Sequence, residues 1–400
     1  MNKYDIAIIG GGFSGMCLAA MLNQNKVGKV VVLEANKRLG KKILVTGNGQ
    51  GNITNTVMDA SHYHGDREFA SDVICRYGNK SLLEFFSSLG LLTAERDGKI
   101  YPASFFAGAV SDVLRFKLAD ENIDIITEFK VINVTKKDIF YITDESSRVI
   151  LTKKVIFAFG GSSGDGFMTD GTSYRIARNL GHKITELCPS LVQLKTEREK
   201  IKGLKGVKQE AFASLYDGQT KICGFSGDVL FTDFGISGNC TFYLSAYLKG
   251  LKNPCVSISF LPEYDEQKLQ AALLKKAENS CDYSRLLISV LPKNLSLAVL
   301  KCVGLKENEC ATKQGILKIS HEIKNFTLKI EGTLGFKSSQ VTAGGIDTKD
   351  IDVNTMQSRI VSGLYIIGEA LNVDGDCGGY NLQWAYSSAA VCANALLGSK

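Results

Sequence analysis

Three glycines and one glutamate carry the first chemical signal in this chain. Gly10, Gly12 and Gly15 stand in "IIGGGFSG" as G-x-G-x-x-G, after an apolar run and before a segment of helical spacing. Gly10 permits a tight turn and Gly12 lets backbone approach a pyrophosphate. Gly15, with Ala19 a turn later, lets a helix pack closely on a sheet. A helix starting there offers free N–H groups and partial positive charge to phosphates. Glu34 closes "KVVVLEAN", where an acid binds a ribose diol. Strand, turn, helix and acid together predict a dinucleotide site. The competing reading is a tight turn between strand and helix with no ligand.

The elements that must position these residues follow from periodicity. Residues 4–9 and 29–36 read as buried strands around a helix at 13–25, a β-α-β unit that implies a parallel sheet with helices on its faces. Helical spacing recurs at 67–90, from 110 and at 172–182, the last closed by Gly181. Residues 123–158 alternate as strands, and 190–260 are rich in β-branched and turn residues. A mainly helical section at 265–304 follows, and "LYIIGEA" at 364–370 is again a buried strand. Sheet-like pieces at both ends of a foreign middle predict one nucleotide domain, interrupted. The boundaries read as 1–190 for its first part, 191–261 for a β-rich insert, 262–330 for a helical insert and 331–400 for its return.

Composition excludes several classes. Four hundred residues exceed what one core usually fills, and 44% apolar with 22% charged residues is ordinary for a globular protein. A net charge of +6, from 47 basic and 41 acidic residues, is too small to argue for nucleic acid. The chain passes from Met1 into a strand with no leader pattern, and no apolar run approaches the ~18 residues of a membrane span. A cytoplasmic protein is expected, and eleven cysteines without a C-x-x-C pair suit reduced thiols. His62 and His64 lie close together in a polar loop and read as a chance pair, not a metal site. The sequence carries no signal of oligomeric state.

Glycines recur in "TGNGQGN", "AFGGSSGDG" and "GDCGGYN", each in a loop beside a predicted strand. A ligand as long as FAD needs several backbone approaches, whereas a turn needs one glycine. No second strand-GxGxxG-helix unit occurs, so a separate NAD(P)H-binding Rossmann domain is not encoded. The uncharged stretch "GGYNLQWAYSSAAVCANALL" reads as a buried helix whose first turn follows two glycines. Its N-terminal N–H groups would stabilise negative charge on a flavin by roughly 0.3–1 kcal/mol, up to ~2 when partly buried.

The ordered blocks "GGGFSG", "GKKILVTGNGQGNITN", "GKIYPAS", "DGTSYRIARNLGH", "LFTDFGISG", "SVLPKNL", "QVTAGGI", "GLYIIGEALNVDG" and "GGYNLQWA" run nearly end to end. On them the chain resembles the bacterial BaiN-like, or aminoacetone oxidase-like, NAD(P)/FAD-dependent oxidoreductases. The resemblance implies an α/β fold: a Rossmann-like, glutathione-reductase-like FAD-binding domain with a parallel sheet, interrupted by a β-barrel-like and helical insert. It implies that Gly10, Gly12, Ser14 and Gly15 face the pyrophosphate, and that Glu34, with Ala35 beside it, faces the adenosine ribose. Lys42, Gly47, Asn48, Gly49 and Asn52 would line the phosphates and ribityl chain, and Val131 would meet the adenine. Gly160 and Gly161 would cross beside the cofactor, and Gly368 and Glu369 would approach its ribityl end. Gly379, Asn381 and Leu382 would lie at the flavin pyrimidine edge.

Three departures qualify that carry-over. Gln50 and Gly51 replace the usual Arg and Cys of the family loop, Asp233 stands where a histidine is common, and "AFGG" replaces ATGG. The implied function is a flavin-dependent oxidoreductase taking hydride from NAD(P)H, a transient donor, to a small organic substrate. The resemblance points to the activated C=C of an oxo-steroid or bile-acid-like enone. Tyr101, Asp233 and Tyr380 are possible proton donors, and no residue is assigned as catalytic. "TAGGI…GLYIIGEA" also resembles fumarate-reductase and aspartate-oxidase flavoproteins, but Gln340 and Val341 stand where those carry a histidine. The reading of another class is a flavin-binding or RNA-associated scaffold that docks through the helical insert.

Overall fold

In a computed structural model, residues 2–398 are described, apart from positions 23, 122, 165, 279 and 280. The expectations at Met1 and at Asp165 of the second glycine loop therefore lie outside the described residues. The chain divides into two units, 1–189 with 340–400, and 190–339.

The first unit is built on strand β1 (Asn2–Ile9), helix α1 (Phe13–Met21) and strand β2 (Val30–Leu33). β1 pairs in parallel with β2, Ile6 opposite Val30, and with β3 (Val149–Phe157), Ala7 opposite Val155. β2 is buried throughout and β1 is buried from Ile6 to Ile9, which is why these stretches read as apolar runs. β2 pairs in parallel with Asp124–Ile126. β3 divides its far edge: Val149–Thr152 pair antiparallel with the Phe140–Asp144 strand, and Val155–Phe157 pair in parallel with β4 (Leu364–Ile366). The C-terminal segment therefore returns to the sheet that the N-terminal segment began.

Helix α2 (Tyr380–Gly398) packs against α1. Both are buried nearly all round, with small buried residues in each, Ala19 and Ala20 in α1 and Ser388, Ala389 and Ala390 in α2. The helical stretch expected at 67–90 is two helices, Arg67–Arg76 and Asn79–Ser88, broken at Tyr77–Gly78.

The second unit is a closed six-stranded barrel. Its order is Leu194–Thr196, Gly235–Ser237, Thr220–Phe231, Lys208–Asp217, Pro254–Phe260, Phe326–Thr333 and back to the first. Phe231, Phe260 and Phe326 fill it, their ring centroids 5.6–6.3 Å apart. Helices Glu266–Ala277, Tyr283–Leu287, Lys293–Cys302 and Lys313–Lys324 fall between its last two strands in sequence. Three start at side-chain caps: Asp265 accepts from Lys268 N–H, Asp282 from Arg285 N–H and Thr312 from Gly315 N–H. The chain thus folds as a Rossmann-like domain with a parallel sheet, interrupted by a closed antiparallel barrel with helices. Among the described residues no helix is long and apolar enough to cross a membrane.

Candidate functional site

The first mouth of the site is the β1–α1 turn. Gly10 N–H donates to Leu33 O (2.8 Å), tying the turn to β2. The first bond of α1 runs from Met16 N–H to Gly12 O (2.9 Å), so the N–H groups of Phe13, Ser14 and Gly15 have no acceptor within the helix. Gly15 lies against Gly10 O, where any Cβ would collide. Gly12 faces the other way: a Cβ there would meet nothing within 4 Å. That open cradle beside three unpaired N–H donors fits a pyrophosphate.

Glu34, directly after β2, is buried and held by protein donors. Its Oε2 accepts from Gly11 N–H at 2.8 Å, and its Oε1 accepts from Asn36 N–H and Nδ2, both at 2.7 Å. A carboxylate offers about four acceptor positions, so the acid is fixed in place with capacity left for a hydroxyl. Ala35 follows it, half-buried. Glu34 O accepts from Phe129 N–H (2.9 Å), which brings Val131, two residues on, to the same end of the sheet.

A second group gathers around Glu369. Lys42 Nζ donates to its Oε2 at 3.0 Å, and Thr342 N–H to its Oε1 at 2.9 Å. Gly161 lies against both Thr342 and Glu369, and Gly160 passes 3.8 Å from the carboxylate, each measured from where a Cβ would be. Gly368 carries the C-terminal segment to α1: a Cβ on it would be 2.8 Å from Ser14 Oγ. Gly368 N–H donates to Ser388 Oγ (2.9 Å), and Trp384 Nε1 donates to Gly368 O (3.0 Å). Three segments remote in sequence, at 14, 42 and 368–369, are therefore one site.

The loop 41–55 runs beside them as a 3-10 helix that breaks at Thr46. Gly47, Asn48 and Gly49 are left-handed, and Gly47 and Asn48 are exposed. Asn52 faces inward, its Nδ2 donating to Thr54 O (2.9 Å) and Ile100 O (3.0 Å). Its amide shapes the loop. Gly51 has φ +76°, and a Cβ there would be 2.8 Å from Ala107 Cα, so this backbone does not admit the cysteine usual at that position.

The second mouth is the start of α2. Its first bond runs from Gln383 N–H to Gly379 O (2.9 Å), leaving the N–H groups of Tyr380, Asn381 and Leu382 without acceptors inside the helix. Gly379, at φ +97°, presses on Thr54, whose backbone a Cβ would approach to 2.5 Å. Asn55 Nδ2 donates to Gly378 O at 3.1 Å. Asn381 grips the segment before it: Gly375 N–H donates to its Oδ1 (2.8 Å), and its Nδ2 donates to Gly375 O (2.7 Å). Leu382 is half-buried, and no acidic side chain stands in the first turn.

Tyr101 lies across the loop, its ring 3.5 Å from where a Gly47 Cβ would be. Burial pushes its phenol up, with the Cys377 thiol of the α2 approach adding to the effect. Burial, then Asp376 and Asp59, push the Tyr380 phenol up to about 12. Both are protonated at neutral pH. In the second unit, Asp233 is exposed and ion-paired with Lys205.

Sequence reasoning missed one cluster. His62 and His64 share one buried carboxylate, Asp376: His62 Nδ1 lies 3.0 Å from its Oδ2 and His64 Nε2 lies 2.8 Å from its Oδ1. His62 ends the 3-10 turn Ala60–His62 and His64 lies in the strand Tyr63–Gly65 that follows, but nothing local names a partner more than 300 residues away. No metal-binding group occurs among the described residues.

Comparison with known proteins assigns the family. Residues 4–395 match the family described as the HI0933-like protein Rossmann domain. The chain belongs to that family. It is the BaiN-like group that the sequence blocks resemble, and its fold binds FAD. Within the HI0933-like family, the chain is 36% identical to a Clostridium scindens protein named 3-dehydro-bile acid delta(4,6)-reductase, over 99% of both chains. It is 32% identical to a Haemophilus influenzae protein named ribosomal RNA dihydrouridine synthase, over 98% of both. Among solved structures it matches the Rhodococcus jostii 3-ketosteroid-delta4-(5alpha)-dehydrogenase with a TM-score of 0.53, at 12% identity, over 100% of this chain and 97% of that one. That match shows the fold alone.

Proposed function

We propose that this protein is an FAD-dependent reductase of C=C bonds conjugated to a carbonyl, fed by NAD(P)H. The observation that carries the proposal is the joining of two helix mouths, α1 and α2, through Gly368, which contacts Ser14 and hydrogen-bonds Trp384 and Ser388. FAD bound across them would supply hydride chemistry. Gly12, Ser14 and Gly15 hold the pyrophosphate, Glu34 the ribose, and the Lys42–Glu369 pair the ribityl region. The N–H groups at the start of α2 stabilise negative charge at the pyrimidine edge.

The relatives' names support the choice of bond. A 3-dehydro steroid with Δ4,6 unsaturation is a conjugated dienone, and making dihydrouridine saturates a C=C next to a carbonyl. Both reductions need hydride at a conjugate position, the β-carbon or, for the remote bond of a dienone, the δ-carbon, and a proton delivered to the carbon of the resulting enolate or dienolate. Tyr101 and Tyr380 are the candidates for the proton, because both phenols stay protonated at neutral pH. Substrate is small-molecule in this reading, with a steroid-like enone as the leading class.

Anaerobic addition of NADH or NADPH to the FAD-loaded protein is expected to bleach its visible absorbance. Colour then returns on adding a 3-oxo-4-ene or 4,6-diene steroid. A protein that binds no FAD refutes the proposal, and bleaching by neither nicotinamide refutes the electron source. Recovery with a uridine oligonucleotide and not with any steroid would keep the bond and change the substrate.

A further inference from the structure

We propose that His62, Asp376 and His64 form a proton-holding group that adjusts the charge at the mouth of α2. This rests on the reading that FAD is held there. The antiparallel ribbon of Tyr63–Gly65 with Val373–Gly375 brings the three together. Asp376 lies just beyond the ribbon, and its N–H donates to His62 O (2.9 Å). Its side chain is only 7% exposed, and each oxygen faces one imidazole nitrogen. An ionised carboxylate only accepts, so His62 carries its proton on Nδ1 and His64 presents Nε2–H.

That arrangement leaves Nε2 of His62 as a lone pair. It has no hydrogen-bond partner among the described residues, and the side chain is 33% exposed. One proton from water onto this nitrogen takes the group from a net charge of −1 to 0 and turns the bond to Asp376 into an ion pair. The ring that receives it stacks on Tyr380, the first residue of α2, with centroids 4.3 Å apart and planes at 17°. Asn381 of the same turn also donates to Asp376 O (3.3 Å), so the group and the helix mouth move as one piece. No acidic side chain stands in the first turn of α2 and no basic one in its last.

Several charged and ionisable groups face the pair. Asp59, beside His62, has its carboxyl held below the ordinary value by hydrogen bonds from Ser61, and Arg67, of opposite sign, donates its Nε to Tyr63 O. Asp374 sits opposite His64 in the ribbon. Burial pushes up the Tyr63 and Tyr380 phenols and the Cys377 thiol, which feels Lys99 and Asp376, so all three stay neutral. Imidazole is the side chain that changes charge near neutral pH. By linkage, negative charge arriving at the α2 mouth favours the protonated group, and the protonated group favours that charge equally.

Spectroelectrochemical titration of the FAD-loaded protein across about pH 5.5–8.5 tests this. One extra proton per two electrons steepens the fall of potential with pH by about 30 mV per pH unit. The wild-type protein is expected to show that extra slope, and His62→Gln, which keeps a donor to Asp376 but cannot be charged, to lack it at unchanged FAD occupancy. His64→Gln gives the second comparison if His62→Gln is unstable. Ring-nitrogen NMR of the unsubstituted holoprotein decides independently: His62 must gain Nε2–H on reduction. A yellow protein with the same slope in wild type and variants, or a His62 that gains no proton, overturns this inference alone. A protein that takes up no FAD overturns the functional proposal and this inference with it.

Discussion

The mouths of α1 and α2 present the same groups, unpaired helix N–H donors behind glycines, yet they are built differently. The α1 mouth is local: strand, turn and helix are contiguous, and backbone contacts such as Gly10 N–H to Leu33 O hold it. The α2 mouth is assembled from distant pieces. Thr54 and Asn55 support Gly379 and Gly378 from more than 300 positions away, Asn381 clamps Gly375, and two histidines hold Asp376. A local turn is fixed by chain geometry and is insensitive to pH. An assembled one depends on side chains, and so it can be tuned. Under the proposed function, the fixed mouth would serve the pyrophosphate, whose charge is constant, and the tunable one the flavin edge, where charge changes on reduction.

The largest expected effect comes from uncoupling the two. Trp384, 1% exposed, holds Gly368 O and fills the space between α2 and the sheet. Trp384→Ala is expected to cost about 3–5 kcal/mol in urea unfolding of the FAD-free protein. FAD affinity should fall with it, since Gly368 loses its place beside Ser14. A smaller and more discriminating pair is Gly379→Ala and Gly12→Ala. The first puts Cβ against Thr54 backbone at a positive φ and is expected to cost about 1–3 kcal/mol without any ligand. The second meets open space at φ −78° and should cost less than about 1 kcal/mol in the free protein. It should still weaken FAD binding by about tenfold or more, or about 1.4 kcal/mol, because the methyl group fills the cradle. Equal losses of free-protein stability in both would refute the contrast between the mouths.

The same difference sets what the sequence reveals. Gly10, Gly12, Gly15 and Glu34 are legible because a strand-turn-helix unit places them within one short stretch, and periodicity identifies all its parts. The return of 364–370 to the sheet is legible as a buried strand, but its place beside β3 comes from packing. His62 and His64 are visible as residues, whereas Asp376 as their partner is not, since pairing across that separation leaves no local trace. Gly51 shows the same limit. The sequence reveals the missing cysteine, and only the fold shows a backbone at φ +76° pressed on Ala107. In the second unit, Phe326–Thr333 closes the barrel after four helices, and its alternation alone does not say which sheet it joins.

The smallest expected effect sharpens the contrast between histidines. His182 is 2% exposed, and its Nε2 faces Ser358 Oγ at 3.1 Å. That hydroxyl already accepts from Ile360 and Val361 N–H, so its proton points to Nε2 and the ring carries its own proton on Nδ1, which is buried without a partner. Charging this ring would bury a cation among groups already satisfied, and burial depresses its pKa, with Asp350 opposing weakly. The unfolded chain therefore binds a proton that the folded chain refuses. Stability contributed by neutral His182 is full above the unfolded value of about 6.5 and declines as pH falls below it. Urea midpoints at successive pH values should thus drop more steeply on the acid side for wild type than for His182→Gln. His62 does the opposite in our proposal, gaining a proton as charge arrives at α2. The two histidines differ in their settings: His62 leans on a carboxylate and reaches water, and His182 does neither.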